Sequence, residues 1–274
     1  MEGERNMERK EKIRSRVLMT LAAAAMMILL MGVPSMAAGV LDVEMTANGQ
    51  GAYVYTGMMP DYNTTVYHKI TVNKSGALAV AGASFSDYGN QWGLSVVLCN
   101  SKKQPIEYSS SYVNSDDVAT YGVRPGTYYI QVKNQKNYVV SAAVQSIADK
   151  GGASKKKATN IKHKKTITGV MPAGEKAKKA DWFKLKMTKN KKLQLNISVE
   201  ANGYIEFYLY GPSYKKGVRI DSIKSGSGKY YSINALTRKK SKIKAGTYYI
   251  KAVRSNYSSN KKASGVYTIK WAMK

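Results

Sequence analysis

From about residue 40 onward, apolar and polar side chains alternate along this chain with a period of two. Phe183, Leu185 and Met187 alternate with Lys184 and Lys186. Leu193, Leu195, Ile197 and Val199 alternate with Gln194, Asn196 and Ser198, and Tyr128, Ile130 and Val132 with Tyr129, Gln131 and Lys133. That period marks strands with one buried and one wet face. The breaks between them are rich in Gly, Ser, Asn and Lys, as hairpin loops require. Arg124-Pro125-Gly126-Thr127 sets Pro and then Gly at the centre of a turn whose third residue needs a positive φ. No amphipathic helix shows beyond the N-terminal segment. The pattern predicts an all-β chain of short antiparallel strands, in sandwiches or barrels.

The pattern occurs twice. Thr56-Gly57-Met58-Met59-Pro60 returns as Thr168-Gly169-Val170-Met171-Pro172, and Tyr67-His68-Lys69-Ile70 as Trp182-Phe183-Lys184-Leu185. Leu94-Ser95-Val96-Val97-Leu98 returns as Ile205-Glu206-Phe207-Tyr208-Leu209, and Gly126-Thr127-Tyr128-Tyr129-Ile130 returns unchanged at Gly246 to Ile250. Collinear pairs with slightly drifting offsets argue for duplication with loop insertions. Residues 1–37 read as a secretory signal: basic residues up to Arg16, an apolar run from Val17 to Val33, Pro34, then Ser35 and Ala37 at the small-residue positions of a cleavage site. The predicted order is a signal helix (1–37), a first sandwich (40–148), a basic solvated linker (149–157) and a second sandwich (158–274). With Cys99 alone, no internal disulfide forms, so a core must hold each domain. The expected location is secreted or attached to the wall of a Gram-positive bacterium, with no membrane span after signal cleavage.

The second copy, and more loosely the first, resembles the bacterial pre-peptidase C-terminal (PPC) domain. The resemblance rests on Asp181-Trp182-Phe183-Lys184-Leu185, Phe207-Tyr208-Leu209-Tyr210-Gly211-Pro212, Gly246 to Ile250, and Gly265-Val266-Tyr267-Thr268-Ile269. In the first copy Val66-Tyr67-His68 lacks the Asp-aromatic pair, and Tyr138 to Val144 stands in for the last strand. The resemblance implies tandem jelly-roll-like β-sandwiches of the accessory kind found on exported proteins, some of them involved in surface or polymer attachment.

Charge separates the copies. From Ala38 to Lys150 basic and acidic residues balance. From Gly151 to Lys274 there are 30 Lys and Arg against five acids, Glu175, Asp181, Glu200, Glu206 and Asp221, in a chain of net charge +27. Lysine solubilises surfaces and protects sheet edges, but a neutral sister copy makes that explanation strain. The asymmetry favours attraction to a polyanion: an anionic cell-wall polymer or extracellular polysaccharide. Nucleic acid would feel the same field without sequence specificity, and no nucleic-acid motif is present. The candidate contacts are Lys184, Lys186, Lys251 and Lys270 on polar strand phases, and Lys191, Lys192, Lys215, Lys216, Arg238, Lys239 and Lys240 in loops, where Lys242 also lies.

Catalytic chemistry has few candidates. His68, aligned with Phe183, reads as a packed or partly exposed strand histidine, and His163 as a passenger in a basic stretch. A Ser-His-Asp or Cys-His site would need one of these two histidines as its base, two histidines and one cysteine argue against a zinc site, and Asp116-Asp117 read as a turn. No enzyme activity, cofactor or metal is implied. An alternative is aromatic recognition of a glycan or fibrous protein, through Tyr88 and Trp92 in the loop Asp87 to Gly93 and through the outward-phased Tyr129 and Tyr249. Tyr230-Tyr231 beside Lys229 is a weaker counterpart. A hydrolase with an unrecognised site is the remaining possibility.

Overall fold

The computed structural model describes residues 40–47, 52–58, 64–86, 90–106, 111–114, 117–135, 137–176, 179–232, 240–255 and 263–274. The signal segment, Tyr88, Arg238 and Lys239 lie outside them. Two units emerge, one comprising residues up to 120 with 124–146, the other 121–123 with 147–274. Among the described residues every regular element is a strand, and no helix is long and apolar enough to cross a membrane.

The first unit contains β1 (Val40–Glu44), β2 (Thr46–Ala47), β3 (Ala52–Met58), β4 (Thr65–Val72), β5 (Gly76–Phe85), β6 (Gln91–Trp92), β7 (Leu94–Cys99), β8 (Ser111–Val113), the start of β9 (Ala119–Val123), β10 (Gly126–Lys133) and β11 (Asn137–Ser146). One sheet has the order β1-β4-β10-β7-β8, the other β2-β3-β11-β5-β6, with β9 also paired to β5. The edge strand β1 runs parallel to β4. Side chains from the two sheets meet inside. His68 of β4 is fully buried, its ring 4.5 Å from that of Tyr55 on β3 and its Nε2 2.8 Å from the hydroxyl of Tyr138 on β11. The aligned Phe183 already suggested an inward position, and the structure removes the partly exposed option.

The second unit contains β12 (Thr159–Asn160), β13 (Thr166–Met171), β14 (Ala180–Met187), β15 (Leu193–Gly211), β16 (Tyr214–Tyr231), β17 (Gly246–Arg254) and β18 (Ser264–Met273). Its long β15 serves both layers. Leu193 to Asn202 pair with β18, the register breaks between Glu200 and Ile205 at Gly203 with φ 95°, and Ile205 to Tyr210 pair with β17. In the first unit β5 and β7 divide that role, and β8 and β9 do what β16 does alone. With that substitution, and apart from the two-residue strands β2 and β6, the strand orders correspond, including a parallel edge pair, β12 on β14. Phe183 and Phe207 of one layer meet Tyr267 of the other at centroid distances of 6.1 and 5.4 Å. Two all-β sandwiches of one topology result.

The repeated Gly-Thr-Tyr-Tyr-Ile has a structural reason. Gly126 and Gly246 hold φ of 153° and 140°, where a Cβ is strained. The next-but-one tyrosine then points inward and returns its hydroxyl to the chain: Tyr128 Oη donates to the Arg124 carbonyl at 3.1 Å, and Tyr248 Oη to the Lys244 carbonyl at 2.9 Å. Each is a tyrosine corner, closing a turn with a buried ring. The Thr-Gly motif is explained similarly in the second unit. A Cβ on Gly169 would lie 2.3 Å from the Tyr267 ring, so glycine lets that tyrosine cross the core.

The segment 149–157, expected to be a solvated linker, is bound to the second unit. Lys150 N–H donates to the Thr168 carbonyl at 3.1 Å, and Gly152 exchanges backbone hydrogen bonds with Trp182 at 3.1 and 2.9 Å. Asp149 accepts from the amides of Gly151 and Val170. Basic composition did not prevent this, because glycine lets the strand edge approach: a Cβ on Gly152 would stand 2.8 Å from the Trp182 carbonyl oxygen.

Asp181 accepts the Tyr267 hydroxyl at 2.6 Å. Burial, reinforced by Asp149 and Glu175, pushes its carboxyl up to about 6, against the hydrogen bond from Tyr267 and the charge of Arg254. The folded state therefore holds this proton more tightly than the unfolded chain. Its contribution is fully present below pH 4 and is lost as pH rises through about 6. Lowering the pH from 7 to 5 should stabilise the second unit by about 1 kcal/mol through this group. Thermal denaturation of wild type and Asp181→Asn across that range checks it, because the substitution should remove that increment.

Candidate functional site

At one end of the second sandwich, strand ends form an open cleft of about 680 Å³. Lys191, Lys192, Gln194, Lys229, Tyr231, Lys240, Lys242 and Lys274 line it. Six of the eight are lysines and none is acidic. The local sequence explains their orientation. Leu193 and Ile243 are buried, so the neighbouring Lys192 and Lys242 are turned outward by the strand period. Gln194 and Tyr231 face each other across β15 and β16.

The frame beneath is closely hydrogen-bonded. Lys192 and Lys274 exchange backbone bonds at 3.0 and 2.8 Å, and Ile243 N–H donates to the Lys191 carbonyl at 2.9 Å. Ser232 is buried and ties two segments together, its Oγ donating to the Ser241 carbonyl and accepting from the Leu193 amide. Lys240 Nζ lies 4.4 Å from the centroid of the Tyr231 ring, a cation–π contact that holds the ammonium over the cleft. Gathering like charges raises the energy of the free protein, and a bound polyanion relieves it.

The candidate lysines separate into groups. Lys191, Lys192 and Lys240 meet in the cleft. Lys270 lies on the same outward sheet face, with Asn196 between it and Lys229. Lys184, Lys186 and Lys251 lie on the outward face of β14 and β17, where the register sets Lys184 beside Tyr249 and Lys186 beside Thr247. Lys215 and Lys216 are exposed just after the β15–β16 turn and do not line the cleft. Arg238 and Lys239 lie outside the described residues. Gln194 and Lys274 escaped the sequence reading, and Lys229 with Tyr231 figured there only as a weak stacking pair. Their signal was the polar strand phase, but which strand ends converge depends on topology.

No family model matches the chain, and neither does any of the curated proteins. Several solved structures are similar to part of the chain at low identity. A periplasmic inhibitor of g-type lysozyme from Aeromonas hydrophila is 14% identical, with a TM-score of 0.32 over 40% of this chain and 100% of its own. The pre-peptidase C-terminal domain of a Bacillus anthracis collagenase is 13% identical, with a TM-score of 0.30 over 46% of this chain and 99% of its own. The corresponding Salmonella Typhimurium lysozyme inhibitor is 16% identical, with a TM-score of 0.29. Likenesses at this level carry no argument about activity.

The carboxylates of the second unit are engaged in structure. Glu206 is buried and accepts from Tyr208 Oη at 2.6 Å and Ser255 Oγ at 2.8 Å. Burial, then the bond to Glu206, pushes the Tyr208 hydroxyl up to about 12. Glu175 pairs with Lys179 at 2.6 Å and with the buried Arg254 at 3.6 Å. Asp221 accepts the Ser222 amide. Among the described residues no group of three or more His, Cys, Asp or Glu could hold a metal ion. His163, read as a passenger, packs on Trp271 at 5.0 Å and accepts the Met273 amide at 3.2 Å.

The aromatic candidates fare unequally. Trp92 is 54% exposed, and Tyr112, missed in the sequence, is 57% exposed. Gly93 lies between them, and its N–H donates to Tyr112 Oη at 2.9 Å. Tyr129 and Tyr249 are outward but half-buried rather than exposed. Tyr129 meets Tyr67 edge-on at 6.1 Å, and Lys155 lies over Tyr249 at 5.0 Å.

Proposed function

We propose that this chain is an exported, non-enzymatic protein of two tandem PPC-like sandwiches, and that the second seats an anionic polymer of the cell surface or its surroundings in the lysine cleft. The observation that carries this reading is the convergence of six lysines, and no acidic side chain, among the described residues that line one cleft. The first unit, near neutral, acts as scaffold. Attraction of this kind reads charge density more than stereochemistry, and salt screens it. By analogy with phosphate backbones, a polymer engaging all six lysines should bind about 1,000-fold less tightly at 0.5 M than at 0.1 M salt. Binding of the signal-free chain to purified Gram-positive walls, with and without their anionic polymers, tests this. Binding that is indifferent to both salt and polymer removal would refute it.

A second reading is favoured by the exposed pair Trp92 and Tyr112 in the first unit, which suits stacking on a neutral glycan. That binding should survive 0.5 M salt, a concentration at which the screening length is about 4 Å, and should fall at least tenfold in Trp92→Ala.

A further inference from the structure

The outward face of the other layer of the second unit carries a patterned set of rings and cations. Across β14, β17 and β15 the register places Trp182, Lys251 and Tyr208 in one row, and Lys184, Tyr249 and Tyr210 in the next. Lys251 Nζ lies 5.9 Å from the rings of both Trp182 and Tyr208. Lys155 Nζ lies 5.5 Å from Tyr210 and 5.0 Å from Tyr249. Trp182 leans to within 5.5 Å of Tyr210. Tyr210 also depends on Gly217, where a Cβ would stand 2.3 Å from its ring and φ is 81°.

The first unit shows what such a face accepts. In the same register it has Tyr67 beside Gln131 and Lys69 beside Tyr129. There a lysine also lies over two rings, Lys103 Nζ being 5.3 and 5.7 Å from Tyr67 and Tyr129. But the first unit supplies its own anions. On its parallel edge strand Asp42 faces Tyr67 and Glu44 faces Lys69, and these carboxylates bind Lys103 at 2.6 Å and Lys69 at 3.3 Å. In the second unit the residue facing Lys184 is Asn160. Among the described residues no carboxylate bonds Lys155, Lys184 or Lys251. The duplicated face thus keeps rings and cations and lacks the two internal acids.

We infer that this face of the second unit binds a carboxylated saccharide, its sugar rings stacking on Trp182 and Tyr249 while its carboxylates take the places that Asp42 and Glu44 occupy in the first unit. Four clustered rings argue for sugar faces rather than for a bare acidic chain, and the lysines over them select the acid form. The site is independent of the lysine cleft and does not rest on it.

The test uses the full signal-free chain and a short oligogalacturonate, with its fully methyl-esterified form as the neutral control of the same ring structure. Binding is followed by the indole NMR signals of the three tryptophans, assigned with Trp182→Phe. The acid oligomer should shift the Trp182 signal at 0.3 M salt, and the ester should bind at least tenfold more weakly. Lys251→Gln and Tyr249→Ala should each weaken binding about tenfold, whereas Lys191→Gln/Lys229→Gln/Lys240→Gln should leave the Trp182 shift intact. Asn160→Glu, which restores the first unit's acid beside Lys184, should also weaken it about tenfold with an unchanged melting temperature. The inference is overturned if ester and acid bind alike, if Lys251→Gln and Asn160→Glu bind as wild type, if only the cleft variant loses binding, or if a poly-aspartate peptide shifts Trp182 as strongly as the sugar.

Discussion

Changing Lys191, Lys229 and Lys240 to Gln should lower affinity for an anionic wall polymer by about 100-fold at 0.1 M salt. At roughly 1 kcal/mol for each basic residue held near an anionic surface, three contacts amount to about 3 kcal/mol. The necessary comparison removes equal charge elsewhere: Lys69, Lys215 and Lys216, which are outside the cleft. Long-range attraction from net charge would weaken both triple variants alike. A cleft that holds the polymer in contact makes the first fall about 100-fold and the second less than threefold. The dependence on salt should differ too. Removing three of six contacts halves the slope of log affinity against log salt, while the control keeps it. Sedimentation with walls, repeated at several salt concentrations, distinguishes the two outcomes. Glutamine keeps most of the aliphatic stem and leaves the frame made by Ser232 and the Lys192–Lys274 backbone pair, so loss of binding cannot be assigned to unfolding if the melting temperature holds.

The parts of this molecule legible from sequence are those set by local periodicity. The two-residue alternation in Phe183, Leu185 and Met187 is the inward face of β14, and all three are buried. The repeated Gly-Thr-Tyr-Tyr-Ile was readable as a turn and strand, because glycine and the tyrosine phase are local facts. What periodicity cannot supply is adjacency between distant segments. Lys191, Lys229, Lys240 and Lys274 belong to four segments whose ends meet because β15 pairs with both β16 and β18. The lysine count was visible in the sequence, but its concentration in one cleft was not. The same limit applied to Tyr112, which gains its place beside Trp92 through the pairing of β7 with β8. The expected linker shows the reverse error. Its composition suggested solvation, yet Gly152 is a sheet partner of Trp182, and Lys155 lies beside the rings of Tyr210 and Tyr249.

The first unit should lose stability in mild acid, and His68 should be the main cause. Its side chain is fully buried. Burial lowers its pKa from an ordinary 6.5 to about 3. The unfolded chain therefore takes up a proton between those values that the folded chain refuses. Stability is intact above pH 6.5 and is lost as pH falls towards 3. Between pH 7.5 and 4 the group alone costs about 3 kcal/mol, at 1.36 kcal/mol for each pKa unit traversed. Asp181 acts in the opposite direction in the second unit, so acid should lower the melting transition of the first unit relative to that of the second. His68→Phe installs the residue that the second unit carries at the equivalent position, Phe183. It removes the titration but leaves the buried Tyr138 hydroxyl without the 2.8 Å partner it has now, a penalty of about 1–3 kcal/mol. The variant should thus be less stable than wild type at pH 7.5 and no less stable, or more so, at pH 4. Adding Tyr138→Phe should recover much of the neutral-pH loss, since both polar groups are then gone. Calorimetry at both pH values decides the matter. Parallel pH profiles for wild type and His68→Phe would mean that His68 is not what makes the first unit sensitive to acid.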